Sequence, residues 1–144
     1  QDSINPCTHP NIMMLDETVD SGDAVIHPFC YAHVLGIFHA DIFYLTPGGS
    51  FGEGEYQPMN FLWIQWFSYD SDHSAGFSSQ CLHHLSFLHD LPTEEFGFLD
   101  PDQVVQSVHL IPTFSYGHGD HLGKTLAHEP TGELTDWNYY YINM

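Results

Sequence analysis

Arginine is absent from this chain of 144 residues, and lysine occurs once, as Lys124. Set against 19 acidic residues, that single cation leaves a formal charge of −18 with histidine neutral. Nucleic-acid binding draws its affinity from counterions displaced by lysine and arginine, so this chain alone is not expected to bind nucleic acid. An anionic membrane surface would repel it for the same reason. Cysteine is scarce too: Cys7, Cys30 and Cys81 are too few, and odd in number, for a disulfide framework. A reducing compartment is expected, which places the chain inside the cell, in nucleus or cytoplasm. No apolar run approaches the roughly 18 residues of a membrane-spanning helix. No basic stretch followed by an apolar core opens the sequence as a secretory signal would.

What is present argues for a folded chain. Hydrophobic residues make up 42% and aromatics 15%, outside the composition of disordered segments despite the charge. A domain of this length buries roughly 68–70% of its unfolded surface, enough for one core. Twelve histidines would move the charge from −18 to −6 if all were protonated, centred on a pKa of about 6.5. The plain expectation is that these histidines are scattered over the surface without a switching role.

Along the chain, residues 1–25 are polar and acidic, with Asp16, Glu17, Asp20 and Asp23 before any sustained apolar pattern. They read as an acidic N-terminal arm, and residues 26–144 as a single β domain. From Cys30 to Tyr44, Ala32, Val34, Gly36, Phe38, Ala40, Ile42 and Tyr44 alternate onto one apolar face. That predicts a long, half-buried strand bent at Gly36. Residues 46–58 hold four glycines and two prolines and read as a loop. Met59 to Phe67 is apolar on both faces, the pattern of a central strand. Phe77 to Leu88, Phe96 to Leu99, Val108 to Pro112 and Trp137 to Ile142 read as further strands, and residues 115–135 as irregular. Asp100 and Pro101 have the chemistry of an N-cap and first helical residue, good for one turn. The expected fold is mostly β: a small barrel or a strongly curved antiparallel sheet, with one short helical turn and long loops.

Four stretches, HPFCYAHVLGIFHADI, FLWIQWF, FGFLDPDQVVQSVHLIPTF and DWNYYYINM, together resemble a basidiomycete protein family of mushroom-forming fungi associated with transposable elements. The resemblance covers roughly residues 27–144, and FGFLDPDQVVQSVHLIP is its most specific part. A weaker likeness links the layout to a small β domain attached to plant transposases. The resemblance implies a transposon-associated origin and a basic, glycine-rich stretch after Met144; it implies no activity. It also implies arginine where this chain has His33, Gln65, His84 and His118. Arginine codons beginning CG become histidine or glutamine codons by single transitions at methylated CpG. On that account the lack of arginine and the wealth of histidine share one origin, which the coding DNA at these codons would test.

Several constellations bear on chemistry. His118 and His121 flank Asp120 in one loop, with His128 beyond, so His118, Asp120 and His121 are the first candidates for a zinc ion. The spacing matches no zinc module, and no cofactor is the first expectation, with zinc the alternative. Ser115 near His118 lacks a nucleophile-elbow sequence. Glu94 with Glu95, and Glu53 with Glu55, read as solvated pairs. The glycine-rich run from Gly48 to Gly54 has no following lysine and two glutamates that would repel phosphate. No enzymatic activity is expected. Tyr56, Trp63, Trp66, Trp137 and Tyr139 are the candidates for an exposed aromatic surface; rings flanked by carboxylates suit a basic or methyl-lysine partner. The expectation is therefore a non-enzymatic interaction module for a basic protein or peptide, with a histidine-based metal-binding protein as the alternative.

Overall fold

The computed structural model describes residues 4–16, 27–45, 54–76, 79–88, 95–118 and 137–143. Among them lie eight strands: β1 (Asn11–Leu15), β2 (Phe29–Leu45), β3 (Gly54–Tyr69), β4 (His84–Phe87), β5 (Phe96–Leu99), β6 (Val104–Ser107), β7 (His109–Pro112) and β8 (Tyr140–Asn143). All pair antiparallel in one sheet of order β6-β1-β2-β3-β4-β8-β7. Strand β5 lies end to end with β4 on one edge of β3, pairing Leu62 to Gln65 while β4 pairs Phe67 to Tyr69.

The two ends of this order are consecutive in sequence, with only Val108 between β6 and β7. Seven strands laid flat would hold their edges roughly 29 Å apart at about 4.8 Å per strand. Ser107 and His109 are two residues apart, at most about 7 Å. The sheet therefore curls round until its edges meet at Val108. It is not closed into a barrel, because β6 and β7 follow one another instead of pairing side by side. Of the two expected forms the barrel is thus corrected and the open antiparallel sheet stands.

Alternation builds two cores on opposite faces. Ile12 and Met14, Ala32 and Val34, Leu62 and Ile64 pack with Leu99 on one face. Met13, Tyr31, Phe67, Leu85, Phe87, Val108 and Ile142 fill the other. This second cluster draws on strands all round the curl, so it occupies the enclosed side. Both faces of β3 are apolar because it carries core on each, as its pattern predicted. Asn11–Leu15 is not an arm resting on the domain: it is a strand between β2 and β6, with Ile12, Met13 and Met14 buried.

Other boundaries differ for identifiable reasons. Of the expected third strand, residues 77–78 lie outside the described residues and the strand itself runs His84–Phe87; Gln80 takes positive φ (53°), and Cys81 makes only an isolated bridge, to Gly76. The last strand starts at Tyr140, and Trp137 makes only an isolated bridge to His118. Of the loop expected over 46–58, residues 46–53 lie outside the described residues, and Gly54 to Pro58 are strand, pairing with Leu45 to Asp41. Pro58 is tolerated because that part of β3 has no partner on its other edge among the described residues, so no ladder donor is missed. The helical turn forms where expected, as a 3-10 turn at Pro101–Gln103, with the Asp100 carboxylate accepting from the Asp102 N–H at 3.0 Å. A second 3-10 turn, Phe114–Tyr116, runs into the start of the stretch read as irregular, 115–135, of which residues 119–135 lie outside the described residues.

The most consequential difference lies in β2. Val34 pairs with Ile64 and Gly36 with Trp63, leaving Leu35 as a bulge. One inserted residue reverses the parity of everything after it. Ala32 and Val34 therefore face one way, and Phe38, Ala40 and Ile42 face the other. The single apolar face of the sequence becomes two half-faces, one buried in the body and one outside it.

Candidate functional site

Strand β2 has 17 residues, which span roughly 54 Å at 3.4 Å per rise. A compact chain of this size has a radius of gyration of about 15 Å. The distal part of β2 therefore projects, and β3 projects with it. Residues 36–45 and 54–61 form a two-stranded ribbon beyond the reach of β1 and β5. Such a ribbon is marginal on its own in water and holds here as an extension of the sheet.

The register assigns its two faces. Gly36 opposite Trp63, Phe38 opposite Phe61, Ala40 opposite Met59 and Ile42 opposite Gln57 share one. Phe98 pairs with Trp63 and joins that face from β5. Phe38 stacks on Phe61 at 5.4 Å, and Phe61 meets Phe98 edge to face at 5.5 Å, so a row of rings crosses three strands. The row is open to solvent: Phe98 is 72% exposed, Met59 51%, Phe38 42% and Ile42 40%. Apolar side chains gathered on one face at this exposure mark an interaction surface more often than an ordinary monomer surface. Gly36 makes the row possible, because a Cβ there would lie 2.8 Å from the Phe38 ring.

Beside this face a cleft of about 420 Å³ opens between β3 and the first 3-10 turn. Ile42, Pro58, Met59 and Pro101 provide apolar lining, and Asp100 and Asp102 place two acidic residues at it. Asp41, also exposed, pairs with Pro58 on the opposite face of the ribbon. The arm thus combines aromatic surface with carboxylates and carries no lysine or arginine.

The five aromatic residues singled out from sequence do not converge. Trp63 lies on the ring-bearing face, half-buried. Tyr56, 71% exposed, is on the arm but on the other face, against Phe43 at 5.0 Å. Trp66 packs against the first core, its indole Nε1 so close to Gly97 that a Cβ there would stand 3.0 Å away. Trp137 is half-buried against Phe114 and His118, and Tyr139 against His84 and Tyr116. Phe38, Ile42, Met59 and Phe98 were not singled out. The length of the β2 pattern was the available signal, since a strand that long outruns its own domain.

Of the candidate zinc ligands, His118 is exposed and lies against the Trp137 ring at 3.8 Å, while Asp120 and His121 lie outside the described residues. Among the described residues no three His, Cys, Asp or Glu side chains are placed to hold a metal ion.

A second constellation was not foreseen. His84 is buried, stacked on His73 at 3.5 Å and flanked by the rings of Tyr116, Tyr139 and Tyr141. Its Nδ1 stands 3.5 Å from an Asp70 carboxylate oxygen, and its Nε2 is buried without a hydrogen-bond partner. Desolvation, reinforced by His73, lowers its pKa below the usual histidine value despite Asp70. Nearby, His27 lies among Tyr31, Tyr69 and His83, with its Nε2 at 2.6 Å from the Tyr31 hydroxyl. Burial lowers the pKa of His27 and His83 as well. It pushes Tyr31 up to about 12 and Tyr69 higher still. These histidines sit in the fold as neutral, aromatic-like residues, contrary to the expectation of a scattered surface set.

Comparison with protein-family models, with curated proteins and with solved structures finds no match to this chain in any of the three.

Proposed function

We propose that this chain is a protein-interaction module without catalytic chemistry, which engages a basic protein or peptide through the ring-bearing face of its arm. The observation that carries the reading is the exposed row Phe98, Phe61, Phe38 continued by Met59 and Ile42, with Asp100 and Asp102 at the adjoining cleft. An interface core of aromatic and methionine side chains with a charged rim is the usual anatomy of protein recognition. The net charge of −18 speaks for a cationic partner through steering and complementarity. A transposon-associated origin and an intracellular setting, nuclear or cytoplasmic, belong to the same reading. They rest on the sequence resemblance and on the scarcity of cysteine.

The test is a titration of isotope-labelled protein with lysine-rich and methyl-lysine peptides, and with a glutamate-rich peptide as control, followed by amide NMR. Shifts centred on Phe38, Met59 and Phe98 are expected with the basic peptides alone. Phe98→Ala is expected to weaken binding by about tenfold, as loss of a central aromatic anchor does. Binding is expected to survive a chelator. Loss of binding or folding in chelator would instead favour zinc held by His118, Asp120 and His121. No shift with any basic peptide would end the interaction reading.

A further inference from the structure

Among the described residues, the outer edge of β2 is open over most of its length. Strand β1 pairs with it only as far as His33, and the Val34 N–H donates to the Pro10 carbonyl at 2.7 Å. From Leu35 to Leu45 that edge has no partner strand among the described residues. Successive residues of a strand turn their N–H and C=O groups to alternate edges, so roughly half of these residues present a free donor and acceptor. The other edge of the ribbon differs. There β3 carries Pro58, which has no N–H to offer an incoming strand and is a common guard on exposed edges. No proline guards β2 over the same reach.

Resting on the interaction reading above, we propose that residues 36–44 of β2 receive an extended segment of the basic partner as an added strand. The side chains flanking that edge specify its chemistry. On one face Phe38, Ala40 and Ile42 form an apolar row, and the rings of Phe98 and Phe61 lead into Phe38. On the other face stand Ile37, His39, Asp41 and Phe43, all exposed, with Asp41 the one acid among them. An added strand sets its own side chains beside both rows in alternation. The segment that fits carries apolar residues at every second position, to lie beside Phe38, Ala40 and Ile42, and a lysine or arginine on its other face beside Asp41. A second copy of this chain is disfavoured as the occupant, since each copy brings a charge of −18.

The experiment is amide hydrogen exchange of the whole chain with an eight-residue peptide of alternating valine and lysine. Three controls accompany it: the same peptide N-methylated at alternate residues, a valine–glutamate version, and the Asp41→Asn protein. Expected are at least tenfold slower exchange at alternate amides within residues 36–44, loss of that protection with the N-methylated peptide, no protection with the glutamate peptide, and severalfold weaker binding by Asp41→Asn. Binding that shifts the ring-bearing face without slowing exchange on β2 overturns strand addition and leaves the interaction reading intact. Absence of binding by every basic peptide overturns both. Edge amides already protected in the free protein, together with a dimer in sedimentation, would show that a second copy fills the edge and overturn the proposal.

Discussion

Acid should unfold this protein, and His84 should account for a measurable part of the effect. The unfolded chain holds a histidine near pKa 6.5, whereas burial lowers the folded value. Below pH 6.5 the unfolded state therefore binds more protons at this site than the folded state does. Stability then rises with pH, and its contribution here is complete above the unfolded pKa. On acidification it is lost between 6.5 and the lowered pKa, with a slope of up to about 1.4 kcal/mol per pH unit from one group. The groups facing the ring are Asp70, which opposes the shift, His73, which adds to it, and the hydroxyl-bearing rings of Tyr116, Tyr139 and Tyr141. His27 and His83 are shifted in the same direction and steepen the overall dependence. His84→Phe keeps a flat ring against His73 and removes the titration. It also removes the buried Nε2, whose lack of a partner costs about 1–3 kcal/mol. The variant should match or exceed the parent protein at neutral pH and lose stability less steeply below it. Urea unfolding of both proteins from about pH 7.5 to pH 5 measures this directly. Parallel curves, or a parent protein unaffected by acid, would refute the argument.

Three further outcomes are expected. Cys30 should resist alkylation in the native protein while exposed Cys7 and Cys81 react, since burial and the Asp16 carboxylate push the Cys30 thiol up to about 11; mass spectrometry of a time course reads this, and equal labelling of all three contradicts it. Ile12→Ala should cost about 2–5 kcal/mol in denaturant unfolding, because Ile12 is fully buried in the first core; a loss within about 0.5 kcal/mol would return β1 to the status of a loose arm. Gln65→Arg should raise the unfolding midpoint by replacing a buried, unpartnered Oε1 with a charge-assisted bond to Glu95; a loss beyond about 1 kcal/mol would mean that overpacking decides.

Local chemistry made much of the sheet legible. Asp100 and Pro101 announced their turn, and the two-faced apolar pattern of β3 announced a strand with core on both sides. Period-two patterning failed where a single residue broke it. Gly36 marked the bend where the register breaks, but no side chain from Cys30 to Tyr44 showed that Leu35 beside it is left unpaired and that the faces exchange beyond it. Once the bulge is overlooked, Phe38 and Ile42 pass for core, and the exposed arm disappears with them. The N-terminal strand was obscured in another way. Five residues, NIMML, are too short to establish a period against acidic flanks, and only their pairing with β2 and β6 reveals their burial. His84 was concealed by residue type, since histidine is intermediate in burial and its place in the core here depends on three tyrosines from distant parts of the chain.

The charge deficit and the buried polar groups are connected at particular positions. Gln65 and His84 are two of the positions at which the resemblance implies arginine, and each has a carboxylate beside it. The Gln65 amide donates to Glu95 at 2.8 Å, and the His84 ring stands 3.5 Å from Asp70. Each also leaves one buried polar atom without a partner, Oε1 in Gln65 and Nε2 in His84. An arginine offers five donors and a fixed positive charge, chemistry that suits a carboxylate and brings no acceptor to strand in the core. Replacing it with glutamine or neutral histidine keeps the carboxylate, removes its counter-charge and adds an acceptor atom. Repeated along a chain, the same exchange raises net negative charge without adding a single acid, and a surface altered in that way selects for cations by default. Whatever its origin, a charge of −18 with one lysine to offset it attracts cations and repels anions at long range.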